Sequence, residues 1–145
     1  MFDLLSPYIV YLFALVTCGV ALWKGDQPLR LAALAVIIAW TITPLVYDRT
    51  PHRLNFPVMV VDTNTSLILV WISMRWRRLW CAVLAALTIL VVIIPFVALA
   101  DPNIHRYNQL GANNVVSVFQ LLVLLVATWL AIRARANERA VRPPY

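Results

Sequence analysis

Five consecutive polar residues, Asp62-Thr63-Asn64-Thr65-Ser66, interrupt a largely apolar stretch between residues 57 and 74. A carboxylate in a lipid-like setting requires a cationic partner, a water-filled cavity or a bound proton. The hydroxyl and amide groups beside it both donate and accept hydrogen bonds. The chemistry that this segment offers is therefore proton or cation handling, or hydrogen bonding between packed helices.

Helical spacing predicts a polar stripe in this segment, because residues three and four apart share one face of a helix. Thr63 and Asn64 would flank the stripe. A polar face on a membrane-spanning helix turns toward protein or water rather than toward lipid. The residues predicted to share the stripe are Asp62, Thr65, Ser66, Leu69 and Ser73.

Gln120 is the other strongly polar residue in the middle of an apolar run. We expect it at a depth similar to that of Asp62 and Asn64, so that its amide can bond either of them. A glutamine inside a spanning helix more commonly joins two helices, at about 0.6–2 kcal/mol. Gln120 is therefore grouped with the polar cluster of Asp62, Asn64, Thr65 and Ser66.

Three interpretations of the polar cluster remain open. In the structural one, Asp62 forms an ion pair with Arg49, Arg53 or Arg106 from the polar loops, and the hydroxyls bond neighbouring helices. In the second, the stripe contacts a helix of another protein. In the third, the cluster binds or conducts protons, cations or a small substrate.

The composition determines the setting of these residues. Of 145 residues, 63% are hydrophobic and 12% are charged, whereas a soluble domain is nearer half apolar and a quarter charged. The apolar excess indicates a surface that meets lipid, where only helices and closed barrels satisfy the backbone. Continuous apolar runs of about twenty residues are the helical signature. We therefore predict a single all-α, polytopic membrane domain.

Five transmembrane helices are predicted, and the hydropathy and proline positions set their bounds. Ser6-Pro7 is a favourable helix start, with a hydroxyl cap followed by proline at the first helical position. The transmembrane domain would cover residues 1–132 and a basic cytoplasmic tail residues 133–145. The predicted spans are residues 7–23, 29–47, 57–75, 79–100 and 115–132.

The positive residues divide unequally between the two sides of such a bundle, and the basic side of a membrane protein faces the cytoplasm. This predicts an outside N-terminus and a cytoplasmic C-terminus. Four tryptophans, Trp23, Trp76, Trp80 and Trp129, fall at the same interface. One side carries Lys24, Arg30, Arg75, Arg77, Arg78, Arg133, Arg135, Arg139 and Arg142, and the other carries Arg49, Arg53 and Arg106.

The basic residues of the inner face have two interpretations. They set topology, or they also bind anionic lipid head groups, at about 1 kcal/mol per residue. Because they flank apolar runs, the net charge of +6 does not indicate nucleic acid, and the bilayer is the expected contact. A bound lipid is therefore a candidate ligand of this face. The residues concerned are Arg75, Arg77, Arg78, Arg133 and Arg135.

Signals for catalysis or a cofactor are missing from the sequence. His52 and His105 both fall in predicted loops, without the local ligand spacing of a metal site. Cys18 and Cys81 fall in predicted spans and have no CxxC spacing. We therefore expect no catalytic residue, no metal and no cofactor, and an enzyme acting through either histidine ranks last among the functions considered.

Four features stand together in the second half of the chain: Asp62 near the start of a span, the turn Arg75-Trp76-Arg77-Arg78-Leu79-Trp80, Ala100-Asp101-Pro102 at the end of the next span, and Tyr107 in the following loop. In these features, residues 62–132 resemble a functionally uncharacterised family of small multi-pass inner-membrane proteins of alphaproteobacteria. The resemblance implies a bacterial inner membrane and implies no activity.

Two functional hypotheses follow. The first is an accessory, structural subunit of a larger membrane-protein complex that acts by helix packing with partner subunits. The second is a small transporter or channel that uses the polar cluster around Asp62. The two differ in whether the protein alone should carry flux across a membrane.

Overall fold

The computed structural model describes residues 2–47, 55–101, 103 and 106–141, with side chains for 8–47, 55–101, 103 and 108–141. Every regular element in this part of the chain is helical, which confirms the all-α class. The helices are α1 (Phe2–Lys24), α2 (Gln27–Val46), α3 (Phe56–Trp76), α4 (Leu79–Ala100) and α5 (Arg106–Val141).

Four of these helices are long and apolar enough to cross a membrane. They are α2, α3, α4 and the part of α5 that begins at Asn108. The apolar part of α1 with described side chains, Tyr8–Lys24, is shorter. The large apolar side chains that remain exposed on all five helices fit a surface that meets lipid.

The helices pack in the order in which the chain runs. Each helix packs against the next one, and α1 packs against α5, so the five close into a ring. α2 and α5 also contact each other, through a smaller interface. α1 therefore packs against both of two helices that are themselves neighbours. Every helix thus has partners from the same chain on two sides.

One end of the bundle is basic. Arg135 of α5 donates to Asp26 Oδ1 at 2.9 Å and to the Gly25 carbonyl at 3.0 Å, which brings α5 to the α1–α2 turn. The α3–α4 turn lies at the same end because consecutive helices run in opposite directions. We call this the basic end, and the other the opposite end. It carries Lys24, Arg30, Arg75, Arg77, Arg78, Arg133 and Arg135.

Two short turns hold the basic end together. A Cβ on Gly25 would collide with the carbonyl oxygen of Ala21, so this close approach requires glycine. In the α3–α4 turn, Arg77 adopts a left-handed conformation with φ of 48° and donates its N–H to the Ser73 carbonyl at 2.9 Å. In each turn, the backbone N–H that follows the helix donates to a carbonyl of the last helical turn, from Gly25 to Ala21 and from Arg77 to Ser73.

The main hydrophobic core lies in the half of the bundle nearer the basic end. Small residues predominate in it, which lets the helix backbones approach closely in a membrane protein. Leu84 and Leu124 fill the space between them, each 0% exposed. The small residues of this core are Cys18, Ala21, Ala32, Ala33, Cys81, Ala85 and Ala127.

Two helices extend beyond their predicted bounds by four residues or more. α5 begins at Arg106 and ends at Val141 rather than covering residues 115–132, and α1 begins at Phe2 rather than near Pro7. Adding a residue to an existing helix costs far less than starting a new one. The Ala- and Arg-rich segment after Ile132 also has high helix propensity. Residues 133–141 of the predicted tail are therefore helical.

Candidate functional site

The polar segment of α3 divides between two faces of the helix. Thr65 and Ser66 are buried, at 8% and 7% exposure, and Asp62 is half-buried above them. Thr63 and Asn64 are exposed on the outer surface. The predicted stripe therefore turns toward the interior of the bundle, whereas its two flanking residues face outward.

The polar residues of α3 fit a helix because they satisfy their own hydrogen bonds locally. Thr65 Oγ1 donates to the Val61 carbonyl at 2.8 Å, and Asn64 Nδ2 donates to the Val60 carbonyl at 2.8 Å. Such bonds to the carbonyl four residues earlier are characteristic of threonine in spanning helices. They lower the cost of placing polar groups at this depth.

A buried hydrogen bond joins α4 and α5. Gln120 Nε2 donates to Thr88 Oγ1 at 3.0 Å, and Thr88 Oγ1 donates to the Leu84 carbonyl at 2.8 Å. Gln120 is 6% exposed and Thr88 is 4% exposed. The proposed bond from Gln120 to Asp62 or Asn64 is therefore replaced by one to Thr88, because α5 packs against α4 while α3 lies beyond it in the ring.

These buried polar groups lie near the middle of the bundle. At 1.5 Å per residue, Ser66 lies about 15 Å from the basic end of α3, and Thr88 about 14 Å from that of α4. The hydrocarbon core of a bilayer is about 30 Å thick. The buried hydroxyls and the Gln120 amide therefore form a polar layer at about half the depth of the bundle.

Sequence reasoning missed Thr88 and Thr17. Thr88 is the one hydroxyl residue of α4, but this does not show which way its side chain faces. Thr17 on α1 is 2% exposed, and its Oγ1 has no hydrogen-bond partner within the described structure. A single threonine in an apolar run usually bonds its own helix, so the sequence did not separate these two from Thr41 or Thr43.

The side chains predicted as ion-pair partners of Asp62, those of Arg49, Arg53 and Arg106, all lie outside the described residues. His52 and His105 lie outside them as well. Where the structure is described, no group of three or more His, Cys, Asp or Glu side chains is arranged to hold a metal ion.

The basic end combines cations with indole rings. Lys24 Nζ lies 5.4 Å from the Trp23 ring centroid, and the guanidinium carbons of Arg75 and Arg133 lie 5.7 Å from Trp76 and 5.2 Å from Trp129. An aromatic ring with a cation beside it is typical of the boundary between lipid and water. Arg77 and Arg78, in the α3–α4 turn, lie at the same level and are exposed.

Two depressions lie on the surface of the bundle. A cavity of about 240 Å³ between α1 and α2 is mainly apolar. Tyr11 and Trp40, which line it, meet edge to face with ring centroids 5.4 Å apart. A groove of about 230 Å³ on α3 is lined by Phe56, Met59, Val60, Thr63 and Asn64.

Taken together, the polar residues offer hydrogen-bonding groups and one carboxylate. The amide of Gln120 and the hydroxyl of Thr88 are engaged within the bundle. Asp62 and Asn64 belong to different faces of α3, one turned inward and the other outward. No family model, no curated protein and no solved structure matches the chain.

Proposed function

We propose that the chain is an accessory, structural subunit of a larger bacterial inner-membrane complex. In this proposal all five helices cross the bilayer, with the N-terminus outside and the C-terminus in the cytoplasm. The unequal division of Lys and Arg supports that orientation, and the tryptophan–cation pairs of Trp23, Trp76 and Trp129 support it too. The resemblance of residues 62–132 supports the choice of membrane.

The buried hydrogen bond between Gln120 and Thr88 is the observation that most supports a structural role for the polar residues. Both side chains are almost fully buried, and the amide and hydroxyl bond each other at 3.0 Å. A polar pair of this kind holds two helices together and contributes about 0.6–1.7 kcal/mol. The polar interior therefore supports packing within the bundle. Other subunits would contact the outer surfaces of the bundle.

The length of α5 supplies one such surface. Its 36 residues correspond to about 54 Å at 1.5 Å per residue, whereas the hydrocarbon core is about 30 Å thick. Residues 136–141 are exposed beyond the basic end. In the proposed orientation they form a rigid cytoplasmic helix that is suited to contact a soluble part of a partner subunit.

Native mass spectrometry of the complex, extracted in mild detergent, tests this role. We expect a heteromeric assembly in which the chain occurs with at least one other membrane protein. Shortening α5 by deleting residues 136–145 should release the chain from that assembly while leaving the bundle folded. A chain that is recovered only as a monomer or as copies of itself contradicts the accessory role.

A transporter or channel is the second candidate, and Asp62 is the observation that favours it. The half-buried carboxylate lies one turn from the buried hydroxyls of Thr65 and Ser66 on the inward face of α3. Purified protein in liposomes should then show proton or cation flux that Asp62→Asn abolishes. The Arg135→Ala variant is the matched control, since its ion pair lies at the basic end.

A further inference from the structure

The outward face of α3 carries a regular seam that no other helix of the described structure covers. Successive residues of this seam are separated by four and by three positions in turn, which is the pattern of two helices paired in a left-handed supercoil. The four apolar ones are 58–74% exposed. We call Val60, Asn64, Leu67, Trp71 and Met74 the α3 seam.

Asn64 is the single polar member of the α3 seam. It lies about 12 Å from one end of α3 and about 18 Å from the other, close to the middle of a bilayer. One N–H of its amide donates to the Val60 carbonyl. A primary amide has a second N–H and a carbonyl oxygen, and lipid tails offer a partner to neither.

A comparison with Thr41 isolates what is unusual about Asn64. Thr41 is also exposed, on α2, and its hydroxyl donates to the Ile37 carbonyl at 2.7 Å. That bond uses the one donor that a threonine side chain has. An intrahelical bond therefore suffices for an exposed threonine, whereas an exposed asparagine retains hydrogen-bonding groups that another helix can satisfy.

We propose that a second copy of the chain docks on the α3 seam, with the two α3 helices parallel and Asn64 of each copy bonded to Asn64 of the other. Two copies inserted in the same direction place Asn64 at the same depth. An amide is both donor and acceptor, so the pair is self-complementary about a two-fold axis. A single asparagine in an apolar seam also fixes the register of a parallel helix pair.

The groove beside Asn64 agrees with this arrangement. It measures about 230 Å³ and lies next to the seam, with Met59, Val60 and Thr63 along its walls. A side chain from the facing helix can enter such a depression, as a knob enters a hole in paired helices. The interior stripe of Thr65 and Ser66 remains inside each copy and takes no part in the pairing.

This pairing goes beyond the accessory role and does not depend on it. A homodimer with no other subunit would support the pairing and contradict the accessory role. A heteromeric complex that holds one copy of the chain would support the accessory role and overturn the pairing. The stoichiometry of the native complex therefore distinguishes failure of one proposal from failure of the other.

Disulfide cross-linking in native membranes tests the seam. Leu67→Cys should give a covalent dimer of the chain on mild oxidation. Ile38→Cys, exposed on α2 at a similar depth, should not. The native Cys18 and Cys81 are 0% and 2% exposed, so the unmodified chain should give little background. Equal yields at positions 67 and 38, or a link from position 67 only to another polypeptide, would overturn the proposal.

The role of Asn64 is tested by substitution. Asn64→Leu should weaken the dimer about three- to twenty-fold in dissociation constant, the range expected for one interhelical hydrogen bond. Asn64→Gln keeps an amide and should preserve most of the association. Thermal unfolding in detergent checks that each monomer is folded. An unchanged dimer yield in Asn64→Leu would refute the asparagine pair.

Discussion

Two regions of the bundle, the interior near the basic end and the polar layer at mid-depth, are held together in different ways. Near the basic end the interior consists mainly of small and apolar residues, with Ala32, Ala33 and Ala85 close to Leu84 and Leu124. The buried Thr128 in this region donates to the Leu124 carbonyl of its own helix. At mid-depth, polar groups enter the interior, and the Gln120–Thr88 bond joins α4 to α5. In a membrane the hydrophobic effect does not draw helices together, so close packing and hydrogen bonds must stabilise their association. Each of these two regions relies mainly on one of them.

This difference predicts which substitutions should destabilise each region most. Close packing among small residues fails when a side chain becomes larger, because the backbones have no room to separate without loss of many contacts. A single interhelical hydrogen bond has a smaller, bounded contribution. We therefore expect the free energy of unfolding to depend on side-chain volume near the basic end and on side-chain polarity in the mid-depth layer.

The strongest test of the comparison is an enlarged core residue. Ala85→Leu should lower the free energy of unfolding by about 3 kcal/mol, the upper part of the range for overpacking, because Ala85 is 4% exposed. Ala86→Leu, on the exposed side of the same helix, is the matched control and should be neutral. Reversible unfolding in mixed detergent measures both. Equal effects would break the comparison.

A truncated core residue should have the next largest effect. Leu84→Ala should cost about 2 kcal/mol, the lower end of the usual range for this change. Lipid solvates leucine nearly as well as the core does, so the loss is mainly van der Waals contact. Leu90→Ala, 47% exposed on the same helix, should cost little. If Leu90→Ala proved as harmful, lipid-facing packing would matter more than this account allows.

A double-mutant cycle sharpens the account of the polar layer. Gln120→Leu and Thr88→Val should show a coupling of about 0.6–1.7 kcal/mol in the free energy of unfolding. Gln120→Leu and Asp62→Asn should show none, since the Gln120 amide bonds Thr88 rather than Asp62. A coupling confined to the Asp62 pair would mean that the layer is arranged differently.

The smallest effect is expected at the exposed ion pair of the basic end. Arg135 and Asp26 are 41% and 42% exposed at the side chain, so Arg135→Ala should cost only about 0.2–1 kcal/mol and less at high salt. Arg139→Ala, farther along α5, is the control. Unfolding at low and high ionic strength separates the two. A large, salt-independent loss would indicate that α5 is anchored chiefly by Arg135.

Much of the fold could be predicted from the sequence. The fourth predicted span, residues 79–100, coincides with α4, and the third, residues 57–75, differs from α3 by one residue at each end. The ends of these two helices are set by local features of the sequence, namely prolines, short polar turns and continuous apolar runs. The ends of α1 and α5 were misjudged because a helix that has already nucleated is extended at little cost. The added residues are mostly apolar in α1, which begins at Phe2, and mostly polar or small at both ends of α5.

The candidate site was predictable only in part. The periodicity of α3 correctly grouped Thr65 and Ser66 on an inward face. It did not identify the partner of Gln120, because Thr88 lies in another helix and only the packing of α4 against α5 brings them together. Nothing local marked Thr17 as a buried hydroxyl either.

Hydropathy and charge are properties of single residues along the chain, and they sufficed to predict apolar helices with a basic end. Which side chains meet depends on the tertiary structure. It paired Gln120 with Thr88 and Arg135 with Asp26, and it left Asn64 on the outer surface. Such contacts depend on the rotation and neighbours of each helix, and those follow from packing among all five.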